Sequence, residues 1–206
     1  MIKELIYCAA LIIAAASGDT FGKDAIVVIG QSNATGIVAY GGLASKLGVD
    51  VVDCTHRGMP IKSFIPSYDS MSFYGDCLKK AQPYNVKAIV FWHGESDTTI
   101  ELVTQWTYKA MHVIRSLRQD LGDLKMPVVL VVLNNQPSNI AHPRWQTMRA
   151  YQKRFTATNL HKVDSDKYLF KNENIAGRMG ERLHLTIESY GQISSEIALT
   201  LKDGGL

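Results

Sequence analysis

The stretch Ala25-Ile26-Val27-Val28-Ile29-Gly30-Gln31-Ser32-Asn33 decides the fold. Five apolar residues in a row, four of them β-branched, do not alternate with polar ones, so they suit a strand covered on both faces rather than the half-exposed strand of an antiparallel sheet. The run stops at a glycine, and the polar residues after it read as a tight turn leading into a helix, with Ser or Asn near the cap. Three further runs resemble the first, at 49–52, 86–91 and 128–133, and a weaker fifth surrounds 161–163. Helical spacing fills the gaps. In 100–121, Leu102, Val103, Trp106, Ala110, Val113, Ile114 and Leu117 recur at three- and four-residue steps, and 144–155 and 187–201 follow the same period. Strand alternating with helix predicts a three-layer α/β/α sandwich around a central parallel sheet with right-handed crossovers.

In such a sheet, ligands and chemistry gather on the loops that leave the carboxyl ends of strands. Every chemically suggestive segment falls there: Gly30-Gln31-Ser32-Asn33 after the first run, His56-Arg57-Gly58 after the second, and His93-Gly94-Glu95-Ser96-Asp97 after the third. A serine on a strand-to-helix turn exposes its hydroxyl, and its backbone N–H lies at the positive end of the helix, where it can stabilise an oxyanion. The turn lacks the glycines and the lysine of a nucleotide-binding loop. A nucleophilic serine needs a base. His184 is the candidate, in Glu181-Arg182-Leu183-His184-Leu185-Thr186, with a carboxylate three residues upstream that can fix its tautomer and stabilise its imidazolium. By themselves, the same residues also fit surface charges and a helix cap.

The 206 residues suffice for one α/β domain. A net charge of +3, with scattered lysines and arginines, gives no nucleic-acid footprint. No Cys or His spacing resembles a metal site. At the N-terminus, Lys3 precedes an apolar stretch at 5–16 that ends in Ala16-Ser17-Gly18. This predicts a secretory signal peptide over 1–18 and a mature domain over 19–206, secreted or periplasmic, since twelve apolar residues are too few for a comfortable membrane span. An N-terminal helix packed on the domain is the alternative. Without Cys8, the mature chain keeps Cys54 and Cys77, either as one disulfide or as two small buried residues.

Five blocks in order tie these fragments together. Gly30-Gln31-Ser32-Asn33, Arg57-Gly58-Met59-Pro60-Ile61, Gly94-Glu95-Ser96-Asp97, the helix pattern Trp145, Arg149, Gln152, and His184-Leu185-Thr186 resemble the sialate O-acetylesterase and acetylxylan-esterase branch of the SGNH hydrolases. The resemblance implies a flavodoxin-like fold, no cofactor, and hydrolysis of acetyl esters on a carbohydrate such as sialic acid, xylan or a bacterial polysaccharide. It implies Ser32 as nucleophile, His184 as base, Glu181 as the acid, and the backbone N–H groups of Ser32 and Gly58 as oxyanion donors. Gln31 and Glu95 become expected substrate contacts. Two positions depart from the family pattern: Glu181 stands where Asp is usual, and His93 stands where Gln supplies the last oxyanion donor. An imidazole can also donate, so His93 is expected to complete the hole. Aromatic residues in 60–74 and 134–145 are expected beside the sugar. The departures also leave open a non-catalytic carbohydrate-binding domain, and the fold alone leaves open a lipid- or thioester-directed hydrolase.

Overall fold

The computed structural model describes residues 22–67, 71–135, 144–171, 173–175, 178–181 and 183–206, with the side chains of residues 100, 173–175 and 178–181 left aside. The signal-peptide expectation for 1–18 lies outside the described residues.

The continuous apolar runs form the sheet. Strands β1 (Asp24–Gly30), β2 (Asp50–Thr55), β3 (Asn85–Trp92), β4 (Val128–Val132) and β5 (Leu160–Asp164) lie in the order β2-β1-β3-β4-β5, with every neighbouring pair parallel. Burial explains the lack of alternation: each residue from Ala25 to Ile29 and from Val128 to Val131 is fully covered. Helices α1 (Ser32–Tyr40), α2 (Leu43–Leu47) and α6 (Ile187–Asp203) pack together on one face. The opposite face carries α3 (Phe73–Ala81), α4 (Ile100–Asp120) and α5 (Trp145–Arg154). This is the expected α/β/α sandwich. The stripe on α4 turns inward as its spacing requires, with Val103, Trp106, Ala110, Val113, Ile114 and Leu117 buried.

Four features go beyond the sequence reading. The second strand runs three residues further than its apolar run, through Asp53, Cys54 and Thr55. Helix α3 has few apolar residues, and a short hairpin, β6 (Glu173–Ile175) with β7 (Arg178–Glu181), is too polar to announce itself. Cys54 of β2 and Cys77 of α3 are joined by a disulfide, which resolves the open choice between a bond and two separate thiols.

Register is what positions the site. Gly30 pairs with Thr55 on one side and with Trp92 on the other, so the first three strands end at one level. The loops that begin at Gln31, His56 and His93 therefore leave the sheet side by side. Gly30 itself is required by crowding: a Cβ there would lie 1.8 Å from the Trp92 carbonyl oxygen, at a φ of +150°.

Candidate active site

Ser32 is the first residue of α1, and Gln31 before it is extended. The Ser32 N–H is thus among the first-turn donors that no helical carbonyl satisfies. Its Oγ lies 2.8 Å from Nε2 of His184, across 152 residues of sequence. A nucleophile and a base in direct hydrogen-bond contact are the arrangement that acyl transfer needs.

The base is held by its neighbours on both sides. Leu183 accepts from the Asn33 side-chain amide at 2.9 Å, the His184 carbonyl accepts from the Lys171 N–H at 2.8 Å, and Leu185 pairs with Phe170 in an isolated antiparallel bridge. Thr186 then caps α6. Asn33 also accepts from the Tyr190 hydroxyl at 2.9 Å, which ties α6 back to α1. Neither Asn33 nor Tyr190 was singled out by sequence as part of the site. Asn33 lies one residue past the nucleophile, which was the available signal.

The second and third loops lock onto the first. Gln31 donates to the Met59 carbonyl at 2.7 Å, and its oxygen accepts from the Gly94 and Ser96 N–H groups at 3.1 and 3.3 Å. Both carboxylate oxygens of buried Asp97 accept from the Ile61 N–H at 3.0 Å, and the Ser96 hydroxyl donates to the Gly58 carbonyl at 3.0 Å. Gly58 sits in the left-handed region at φ 70°. These bonds brace the segment that carries the second expected oxyanion donor.

Three of the expected site residues lie inside the protein. Gln31 is 1 % exposed and Glu95 3 % exposed, and the side chains of both bond to neighbouring loops. Glu95 accepts from Asn33 at 3.1 Å, and burial pushes its carboxyl above the usual glutamate range, against the opposing pull of that bond and of His93 and His184 nearby. His93 is 0 % exposed. Phe64 meets its ring edge-on at 4.9 Å, Phe91 stacks beside it, and its Nδ1 lies 3.3 Å from Asp97. Its carbonyl, not its ring, is fixed from outside the loop, by Gln152 at 2.7 Å. The ring packs among these aromatics beside Asp97, and among the described residues neither of its nitrogens has a hydrogen-bond partner.

Glu181 lies on β7 opposite Glu173, and its side chain is outside the described residues. Of the aromatics in 60–74 and 134–145, Phe64, Tyr74 and Trp145 are buried and Phe73 is half-buried, stacked on His56 at 3.7 Å, while residues 68–70 and 136–143 lie outside the described chain. Trp145, Arg149 and Gln152 on α5 bond to the ends of β3 and β4 and to the acids after β5. They hold the scaffold.

A pocket of about 210 Å³ opens over the serine, lined by Ser32, His184, Tyr40, Tyr190, Arg57 and Lys171. Tyr40 is the exposed aromatic there, at 51 %. Three larger clefts among the described residues, of about 490, 420 and 380 Å³, contain neither Ser32 nor His184. Among the described residues, no group of His, Cys, Asp or Glu is placed to hold a metal ion, and no helix is long and apolar enough to cross a membrane.

Comparison with known proteins agrees with this geometry. The family model "Carbohydrate esterase, sialic acid-specific acetylesterase" matches residues 42–202, which leaves the Ser32 loop just outside the matched span. None of the curated proteins matches the chain by sequence. Among solved structures, a protein from Arabidopsis thaliana superposes with a TM-score of 0.63 at 20 % identity, over 80 % of this chain and 67 % of its own. A carbohydrate acetylesterase from Xanthomonas citri gives 0.61 at 15 % identity, over 81 % of this chain, which spans only 40 % of that protein. A lipolytic protein of the G-D-S-L family from Desulfitobacterium hafniense gives 0.60 at 11 % identity, over 86 % of this chain and 98 % of its own.

Proposed function

Since this chain belongs to the carbohydrate-esterase family of sialic acid-specific acetylesterases and is a carboxylic ester hydrolase, we propose that it removes O-acetyl groups from a carbohydrate through an acetyl-serine intermediate. The observation that carries the reading is the 2.8 Å contact between Ser32 Oγ and His184 Nε2 at the open end of the sheet.

His184 takes the proton from Ser32 as the hydroxyl attacks the acetyl carbonyl. The N–H groups of Ser32 and Gly58 hold the negative oxygen that forms. His184 then gives its proton to the departing sugar oxygen. Water, activated by the same imidazole, releases acetate and restores the serine. In the mechanism that the resemblance implies, Glu181 orients His184 and balances its charge. The sugar lies over Tyr40, the exposed aromatic of the pocket. A screen for acetate release from acetylated sialic acid, acetylxylan and acetylated bacterial polysaccharides tests the reading. Hydrolysis of one class is the expected result, and none on any of them, with sugar binding retained after Ser32→Ala, would identify a binding domain instead.

The site of action is outside the cytoplasm. The apolar segment at 5–16 with its small-residue end supports export, and so does the Cys54–Cys77 disulfide, since such bonds persist in oxidising compartments. Intact mass of the protein from its native host is expected to show a chain trimmed near Ala16 or Gly18; a product starting at Met1 would refute export by this route.

A further inference from the structure

Among the described residues two arginines are buried, and they are satisfied differently. Arg149, 7 % exposed, meets the carboxylates of Asp164 and Asp166. Arg118, on α4 and 4 % exposed, meets no carboxylate among the described residues: its Nε and Nη2 donate to the carbonyls of Met126, Thr158 and Asn159. Its Nη1 forms no hydrogen bond among them. Burial pulls the pKa of this guanidinium down, and the charge of Asp123 opposes that only in part. A buried cation held by neutral carbonyls alone is short of a counter-charge.

Arg118 lines the cleft of about 490 Å³, and the carbonyls it holds lie just before β4 and β5 begin, at the end of the sheet opposite to Ser32. Arg115, three residues earlier and so on the same side of α4, lines the cleft too. It is exposed and forms no ion pair or hydrogen bond among the described residues. Lysines elsewhere on the surface do find acids: Lys23 pairs with Asp50 and Lys80 with Asp76. The remaining polar side chains of the lining, Gln119, Thr156 and Thr158, are exposed and can all donate, and no acid is among the described lining residues. Asp123 lines the neighbouring cleft, where its carboxylate accepts from the Lys125 N–H at 2.8 Å. Donors therefore reach this cleft from two sides, from α4 and from the loop before β5. A phosphoryl group, with three terminal oxygens pointing apart, can accept from both sides at once, whereas the two oxygens of a carboxylate share one plane. Guanidinium groups suit such an anion. The cleft is also larger than a phosphate, and Met111 and the exposed Leu124 offer apolar surface beside the cations.

We propose that Arg115 and Arg118 form a second binding site, for a phosphate ester, whose phosphoryl group is held by the two guanidinium groups and the threonine hydroxyls while its carbon skeleton covers Met111 and Leu124. The site lies at the far end of the sheet from the nucleophile, so its ligand is bound there without being hydrolysed at Ser32. It stands independently of the esterase reading.

Calorimetric titration of the whole protein at constant ionic strength tests this, with inorganic phosphate, glucose 6-phosphate and glucose as probes. Inorganic phosphate is expected to bind at one site with a dissociation constant of about 1 mM, as a few charge-assisted hydrogen bonds would give. Glucose 6-phosphate should bind about tenfold tighter through the apolar surface it covers, and glucose should not bind. Arg115→Met should weaken both phosphate probes by about tenfold or more. Arg118 also holds three carbonyls, and its replacement would unsettle the fold, so Thr158→Val serves as the second variant, with an expected loss of about three- to tenfold. An ester that binds more tightly than phosphate names a phosphorylated metabolite or polymer as the source, and equal binding of the two names free phosphate and overturns the role given to Met111 and Leu124. No binding of either phosphate probe to wild-type protein, or binding that Arg115→Met and Thr158→Val both leave unchanged, would overturn the site.

Discussion

Two loops of this molecule are spelled almost alike and do different things. Gly30-Gln31-Ser32-Asn33 follows β1, and Gly94-Glu95-Ser96-Asp97 follows β3. In each, a glycine at high positive φ opens the loop, the second and fourth side chains are buried, and the serine is partly exposed. After the first, nine residues of helix carry the turn away and leave Ser32 facing His184. After the second there is only a three-residue 3-10 turn, and Ser96 donates to the Gly58 carbonyl. Only the first loop's serine meets a histidine among the described residues, which is why the chemistry is proposed there. The other loop's polar residues are consumed in holding the first two loops in place.

The largest expected effect lies at the serine that faces the base. Ser32→Ala should lower ester hydrolysis by about a million-fold, because the nucleophile and its base act as a unit. The melting temperature should stay within a degree or two, since the hydroxyl fills no core volume. Retention of a tenth of wild-type activity would reject Ser32.

The opening glycines differ in how rigid their neighbours are. A Cβ on Gly30 meets a backbone carbonyl at 1.8 Å, whereas one on Gly94 first meets the end of the Gln152 side chain at 2.8 Å. Backbone of a central strand cannot retreat, and a side chain can. Gly30→Ala should cost more than about 4 kcal/mol or prevent folding, and Gly94→Ala about 2–3 kcal/mol. Chemical denaturation of the pair decides it, and equal costs would mean that φ strain, not contact, dominates at both.

His93 tests the second loop's supporting role. With its ring enclosed by Phe64, Phe91 and Asp97, His93→Ala should destabilise the protein by about 2 kcal/mol or more through the cavity it leaves. Activity should then fall only as far as the folded fraction does, in His93→Gln as in His93→Ala. A hundred-fold loss of acylation rate in the Ala variant, rescued by Gln at unchanged stability, would restore the imidazole to the oxyanion hole.

Much of this was legible in the sequence for a plain reason. Buried parallel strands are continuous apolar runs, and the loops that end them follow at once, so the Ser32 turn was readable from position and pattern, whereas Gly58 and the choice of His184 came from the family resemblance. What the sequence left open was the direction of side chains. Gln31, Glu95 and His93 sit at the right edge of the sheet, but whether a polar side chain there turns out to substrate or in to a neighbouring loop depends on contacts with residues 28 to 65 positions away. Aromatics misled in the same way: Phe64 and Tyr74 lie in a loop segment and at a helix start, yet fill the core.

Glu95 allows a test in which pH is the variable. Burial raises its pKa, so the folded protein keeps a proton that the unfolded chain has already released. Folded protein then binds more protons than unfolded, and stability falls as pH climbs from the ordinary glutamate value towards the raised one. Glutamine keeps an acceptor for Asn33 and has no proton to lose. The stability of Glu95→Gln relative to wild type should therefore grow with pH across that window, with a limiting slope of about 1.4 kcal/mol per pH unit, and level off above it. Denaturation midpoints at pH 4, 6 and 8 measure this. A difference that shrinks with pH would show that the carboxylate is charged and favourably paired.

The smallest effect belongs to Ser96, the counterpart of the nucleophile. Its hydroxyl supports the Gly58 carbonyl, which belongs to the peptide unit after the one whose N–H is proposed to serve the oxyanion. Support for that segment is redundant: Gln31 holds the next carbonyl, at Met59, and Asp97 holds the Ile61 N–H. Ser96 is also partly exposed, so water can replace the lost donor, and a single such bond contributes about 1 kcal/mol or less. Ser96→Ala should thus lower kcat by about two- to fivefold, with KM and melting temperature nearly unchanged, as the Gly58 turn relaxes by a few tenths of an ångström. Steady-state kinetics on an acetyl ester measures this. A hundred-fold fall in kcat would mean that the Ser96 hydroxyl itself reaches the oxyanion, and that the two loops share the chemistry instead of dividing it.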